Sequence, residues 1–282
     1  MTNKIFISKL IKDDVWIFKN DQNIQASFKG KIRLNNIDVA VGDYVSLSIQ
    51  NNHYLINEIL NRKNFLLRPK VANVDKVLIV QSAIQPDFND LSLDKMITFY
   101  EMKNIPVAIA ISKLDLVSNH HFVNKFIDEY ISQGFEVYKL NQDEDFKKMI
   151  QGFDGKIICF VGNSGVGKSS LINRIDPNLN LNTQAISKIL NRGKHTTTNV
   201  SILKVKNFFL VDTPGFSTIN INADKFILAR YFFKKILKDN QCKFNDCLHD
   251  YENECLVKKY VQEKKITINR YNNYLNILRN IR

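Results

Sequence analysis

The sequence predicts a multidomain chain in three parts: a small N-terminal β-barrel or sandwich, a central α/β segment with a mostly parallel sheet, and a helical C-terminal segment. Three observations carry this expectation. Short β-like runs crowd the first 68 residues. From about residue 73, strand-like apolar runs alternate with helix-like stretches, and one of them enters the glycine-rich loop Gly162-Asn163-Ser164-Gly165-Val166-Gly167-Lys168-Ser169. Near the C-terminus, Cys242, Cys247, His249 and Cys255 fall within 14 residues, between helical stretches. A length of 282 residues exceeds one average domain. A composition of 44% hydrophobic and 24% charged residues suits packed cores.

Along the chain, Val15-Trp16-Ile17-Phe18, Asp38-Val39-Ala40-Val41 and Tyr44 to Ile49 read as strands, with turn signals at Gly30 and Gly42-Asp43. Arg68-Pro69 marks the first boundary. Val77-Leu78-Ile79-Val80 reads as a buried strand, and Leu91 to Met102 as a helix with Asp90 as N-cap. Val107 to Ile111 is the next strand and runs into Ser112-Lys113-Leu114-Asp115. A helix over Phe122 to Gly134 and a strand over Phe135 to Leu140 follow. The strand Lys156 to Val161 leads into the glycine-rich loop, and a helix over Ser169 to Ile175 leaves it. Val200 to Val205 and Phe208 to Val211 read as paired strands before Asp212. From about residue 223 the chain reads as helical to its end, interrupted by the Cys/His cluster.

No early apolar run has signal-peptide character, and no stretch of 18 apolar residues occurs, so a soluble, cytoplasmic protein without a membrane partner is expected. The net charge of +12 divides into +5 for residues 1–70, +4 for 71–239 and +3 for 240–282. The excess per residue is greatest at the two ends, which makes nucleic acid a plausible partner.

The motifs sharpen this. The glycines of the loop let successive backbone N–H groups converge on phosphates, and the helix that follows adds the positive end of its dipole. Gly162 through Ser170 form the expected phosphate site, with Lys168 on the β- and γ-phosphates and Ser169 on Mg²⁺. Asp212 follows an apolar strand and suits a Walker-B role, and Gly215 would offer its N–H to the γ-phosphate. Asp115 can accept two hydrogen bonds from guanine N1–H and its exocyclic amine, a donor pair that adenine lacks. Lys113 would lay its stem along the base. Ser112 stands where such a motif usually has Asn; it lacks an amide, so a looser hold on the loop is expected. Lys194-His195-Thr196-Thr197-Thr198 occupies the switch position, with Thr197 preferred over Thr196 for Mg²⁺ and His195 a candidate to place water. Phe216 replaces the Gln that often orients water, so slow intrinsic hydrolysis is expected. The base-reading motif precedes the phosphate loop instead of following Asp212, which implies a circularly permuted GTPase domain acting on GTP.

Cys242, Cys247, His249 and Cys255 supply three thiols and one imidazole, a full tetrahedral set for one structural Zn²⁺ with no open catalytic position. Cys159 sits in an apolar strand and reads as core.

With Asn73-Val74-Asp75, Ser112-Lys113-Leu114-Asp115-Leu116, Gly162 to Ser170, Gly193 to Thr198, Asp212-Thr213-Pro214-Gly215-Phe216, the Cys/His cluster and Arg270-Tyr271-Asn272-Asn273-Tyr274, the chain resembles the RsgA (YjeQ) family of circularly permuted GTPases over nearly its whole length. The resemblance implies an OB fold over residues 1–68, a permuted GTPase domain over 69–222 and a helical zinc domain over 223–282. It also implies a monomer that cycles between GTP and GDP, with the 30S ribosomal subunit and its 16S rRNA as partners. Trp16, Phe18, Phe28, Tyr44 and Tyr54 are possible base stackers, and Lys29, Lys31, Arg33, Arg62, Lys63 and Arg68 the better candidates for phosphate contacts.

Overall fold

The computed structural model describes residues 5–11, 14–30, 38–117, 121–179, 200–212, 221–238 and 240–281. It divides into two compact units. The first draws on Met1–Lys76, Phe153–Phe160 and Ser169–Gly215, the second on Val77–Gly152, Val161–Lys168 and Phe216–Arg282.

The first unit opens with strands β1 (Phe6–Ile11), β2 (Asp14–Lys19), β3 (Gln22–Phe28), β4 (Val45–Gln50) and β5 (His53–Ile59), then the short pair β6 (Phe65–Leu67) and β7 (Lys70–Ala72). The second unit takes up β8 (Lys76–Ser82), α1 (Asp90–Met102), β9 (Val107–Ser112), α2 (His121–Ser132), β10 (Glu136–Lys139) and α3 (Asp143–Gln151). The chain then supplies β11 (Ile157–Val161), α4 (Lys168–Ile175), β12 (Ser201–Val205) and β13 (Phe208–Asp212), mostly to the first unit. It ends in the second with α5 (Lys225–Phe232), α6 (Lys234–Leu237), α7 (Leu256–Gln262) and α8 (Ile268–Asn280).

In the first unit the strands lie in the order β11-β13-β12-β1-β2-β3-β5-β4. Strands β11 and β13 are parallel, whereas β12 and β13, the strands expected to pair, do so antiparallel. Ile7, Ile17 and Ile56 are fully buried beside Val15, Ala26 and Val45. Alternation along β2 turns Val15 and Ile17 inward while Trp16 stays half-buried. Phe6 and Phe18 stack at 5.5 Å and both meet the edge of Phe209, so Phe18 is core and not a free base stacker.

The expected strand Asp38–Val41 does not form; only Val41 makes an isolated bridge, to Val71. Its backbone is used otherwise. The buried Asp43 carboxylate accepts from Ala40 N at 2.8 Å, and Gly42 turns the chain at φ +87°. Arg62 donates to both Asp43 oxygens, at 2.6 and 2.8 Å. Asn73, with φ +58°, accepts from Lys63 N and donates to the Gly42 carbonyl, while the Asn64 amide brackets Val74. The Asn73-Val74-Asp75 segment is therefore a hydrogen-bonded latch, completed by Asp75 accepting from Ile157 N at 2.7 Å.

In the second unit β8, β9 and β10 are parallel, in the order β10-β9-β8. All six residues of β9 are buried, which explains its continuous apolar run. The N-cap of α1 is Asn89, whose side chain accepts from Ser92 N at 2.8 Å. Asp90, expected as the cap, is the first helical residue, and its carboxylate instead accepts from Asn269 and Asn273. The pattern also missed α3, a polar helix with Asp143, Glu144 and Asp145 in its first turn, where they favour the dipole. The C-terminal helices close over Leu228, Phe232, Phe233, Val257, Ile266 and Tyr274. Among the described residues, no helix is long and apolar enough to cross a membrane.

Candidate nucleotide and metal sites

Strand β11 delivers the chain into the phosphate loop, and α4 begins on Lys168. Gly162 takes φ +141°, and a Cβ there would collide with the Val80 carbonyl. Gly165 and Gly167 take φ +80° and +96°, so the loop's shape depends on glycine at all three positions. Lys168 folds over the loop and donates to the carbonyls of Gly162 at 2.7 Å and Asn163 at 2.8 Å. Burial holds its ammonium below the usual lysine range. Among the described residues it has no carboxylate partner. An ammonium withdrawn from water with only carbonyl dipoles around it is matched to an incoming anion.

The Ser112–Asp115 turn reaches the same loop. Ser112, at the end of β9, donates its hydroxyl to the Val166 carbonyl at 2.6 Å. The looser hold expected from losing the amide is thus offset by one short hydrogen bond. A Cβ on Gly167 would lie 3.6 Å from Ser112 Oγ, so the two segments are in close contact. Lys113 takes φ +58° and donates to the Gln85 carbonyl. The 3₁₀ turn Leu114–Leu116 buries Leu114 and leaves Asp115 exposed. Beside it lies a hollow of about 230 Å³ lined by Leu114, Asn124, Lys139, Asn141 and Gln142. Sequence reasoning stopped at Leu140 and missed Asn141 and Gln142; the one available signal was a pair of polar amides directly after an apolar strand.

Ser169 and Ser170 lie in the first turn of α4. Asp212 is the last residue of β13, in register opposite Ser201. His195, Thr196, Thr197, Gly215 and Phe216 lie outside the described residues.

The Cys/His cluster lies between α6 and α7, near Tyr274 of α8. The four ligand atoms lie within 4.8 Å of one another. Cys242 Sγ is 4.0 Å from Cys255 Sγ, and His249 Nδ1 lies 3.6, 3.3 and 3.4 Å from Cys242, Cys247 and Cys255. A tetrahedral centre with metal–sulfur bonds of about 2.3 Å and a metal–nitrogen bond of about 2.0 Å has ligand–ligand edges of roughly 3.5–3.8 Å. The residues therefore fit a metal ion. His249 hydrogen-bonds the Ala229 backbone, which directs Nδ1 to the thiols. The supporting shell is hydrogen-bonded. Tyr271 and Tyr274 donate to the carbonyls of His249 and Leu248, and Glu252 accepts from Leu248 N and Asp250 N. Burial pushes the Cys247 and Cys255 thiols up and the His249 imidazole down, so the thiols favour their neutral form unless a cation reverses that preference.

Of the residues suggested for phosphate contacts, Arg62 is committed to Asp43 and Lys63 to Asp75. Lys29 and Arg68 are exposed, and Lys31 and Arg33 lie outside the described residues. Lys19 sits over the Tyr54 ring.

A family model described as RsgA GTPase matches residues 59–222. A protein of Ureaplasma urealyticum named small ribosomal subunit biogenesis GTPase RsgA is 39% identical over 282 residues, covering 98% of this chain and 94% of its own. A Bacillus subtilis protein of the same name is 37% identical over 271 residues, covering 93% and 91%. Two crystal structures are similar to this chain. One, of YloQ, described as a circularly permuted GTPase, gives a TM-score of 0.82 at 30% identity, covering 98% of this chain and 93% of that one. The other, of YjeQ from Thermotoga maritima, gives 0.83 at 30%, covering 98% and 97%.

Proposed function

The chain belongs to the RsgA GTPase family, and from that premise we propose a GTPase that acts in late maturation of the 30S ribosomal subunit. It binds rRNA, hydrolyses GTP to GDP and phosphate, and uses that step as a release switch. The observation that carries the reading is the Ser112–Val166 hydrogen bond, which joins the base-reading turn to the phosphate loop despite the permuted order.

In this reading Lys168 exchanges its carbonyl contacts for the β- and γ-phosphates, and Asp115 selects guanine. Ser169 and Thr197 hold Mg²⁺, which neutralises phosphate charge, with Asp212 beside it. Gly215 senses the γ-phosphate and His195 places water. Cys242, Cys247, His249 and Cys255 hold one structural Zn²⁺. Residues 1–68 act as an OB-type RNA-binding domain, 69–222 as the permuted GTPase domain and 223–282 as the zinc domain. The protein works as a cytoplasmic monomer on the 30S subunit and its 16S rRNA.

The test is GTP hydrolysis with and without purified 30S subunits. Stimulation by 30S is expected, with Lys168→Ala at least about a hundredfold slower. Slow, unstimulated turnover despite tight GTP binding would overturn the ribosomal assignment and point to another activator.

A further inference from the structure

Helices α5 and α6 carry Lys225, Arg230, Lys234 and Lys235, Lys238 follows directly, and residues 225–238 hold no acidic side chain. The structure sorts these cations. Lys235 turns toward the rest of its unit, 3.8 Å from Glu101 and over the Phe135 ring. Arg230, Lys234 and Lys238, at intervals of four, line a cleft of about 570 Å³ on another side. Among the described residues none of the three forms an ion pair, although Lys234 feels the charge of Glu101, and no acidic residue lines the cleft. Three aromatic rings share it: Phe226, 49% exposed, Phe244, 51% exposed, and Tyr231, which lies under Lys234. Cys242, Cys247 and His249 line it too, so the metal cluster fixes one side.

Three cations lining one cleft suit a phosphate backbone. Half-exposed rings beside them suit bases that are free to leave a stack, because any base offers a face. The cleft admits a nucleotide but not a duplex, whose bases are stacked and whose grooves need an inserted helix or ribbon. We propose that this cleft binds an unpaired segment of RNA, with Arg230, Lys234 and Lys238 on successive phosphates and Phe226, Tyr231 and Phe244 stacking on bases. The proposal rests on the ribosomal reading above and locates a single-strand site within it, next to the metal cluster.

The test uses the metal-loaded full chain and a fluorescent single-stranded oligoribonucleotide, with anisotropy read across a salt series. The Arg230→Ala/Lys234→Ala/Lys238→Ala variant is expected to bind at least about tenfold more weakly. Its slope of log affinity against log salt should fall by about 2, as for three lost single-strand phosphate contacts. Phe244→Ala should weaken binding about tenfold with the slope unchanged. A Lys259→Ala/Lys264→Ala/Lys265→Ala variant removes the same charge outside the cleft and should bind as wild type does. Melting curves and metal content check the fold of each variant. Equal losses from the two triple variants would mean bulk charge and overturn the proposal. So would tighter binding of an RNA hairpin, or displacement of the oligonucleotide by an acidic peptide at similar concentration. GTP hydrolysis with 30S separates the levels. Wild type stimulated by 30S, with RNA binding indifferent to the cleft, rejects the cleft alone; unstimulated wild type rejects the ribosomal reading.

Discussion

The phosphate loop and the C-terminal helical segment belong to the same unit, and each withdraws a cation from water. They neutralise it differently. Lys168 is surrounded by backbone carbonyls and meets no carboxylate among the described residues. Arg270, 3% exposed on α8, lies 3.5 Å from the fully buried Asp94 and over the rings of Tyr130, Phe135 and Phe232. Asn273 and Tyr130 also hydrogen-bond Asp94, and Thr267 bonds Glu129. A cation matched by a carboxylate and aromatic faces is a structural joint. A cation matched only by dipoles remains available to a ligand.

The comparison is tested most severely by removing the metal. The loop is built from glycine geometry and backbone bonds, whereas the Cys/His cluster, in the zinc reading proposed above, depends on a cation to hold thiolates together. Structural zinc contributes on the order of 10 kcal/mol to small domains. A strong chelator should therefore abolish hydrogen-exchange protection across residues 240–281 while GDP binding persists. Loss of GDP binding in step with the metal would show one cooperative body and break the distinction.

A smaller effect separates the two cations directly. Arg270→Met leaves Asp94 buried without its partner and should cost about 3–5 kcal/mol in chemical denaturation. Adding Asp94→Leu should recover most of that loss. Lys168→Ala removes no paired charge and should change stability by less than about 1 kcal/mol, although it abolishes turnover. Equal destabilisation by the two single variants would mean that Lys168 is also a structural joint.

These residues also show what the sequence made legible. The loop around Lys168 was readable because it lies in eight contiguous residues whose glycines allow few other shapes. The cysteines and His249 were readable for the same local reason. Arg270 stood inside a recognisable segment, yet its role depends on Asp94, far upstream on α1, and no local pattern encodes that meeting. Ser112 looked like a weakened motif because the reach of its hydroxyl depends on how closely β9 and the loop approach. Arg230, Lys234 and Lys238 dissolved into the bulk charge, because only the fold turns Lys235 away from them. The helix α3 was missed because its apolar side is narrow; of its nine residues only Met149 is fully buried.

A gentler test than removing either partner is a pH dependence at the Arg270–Asp94 joint. Burial pushes the Asp94 carboxyl up to about 6, against the pull of Arg270, Asn273 and Tyr130. Its value in the unfolded chain is about 3.9. The native state then binds the proton more tightly than the unfolded chain. The contribution is fully present below pH 3.9 or so and is lost as pH rises through about 6, to a total of about 2–3 kcal/mol. Denaturation of wild type, compared with Asp94→Asn, should show stability falling between pH 4.5 and 6.5 by about 2 kcal/mol more in wild type than in the variant. Parallel curves would mean that Asp94 stays ionised throughout and that the pair is a fixed ion bridge. The predicted difference has the opposite consequence for the comparison. Below pH 6, Arg270 loses its full counter-charge and is left with ring faces and neutral dipoles, so among the described residues the joint comes closer in acid to Lys168, which meets carbonyl dipoles and no carboxylate.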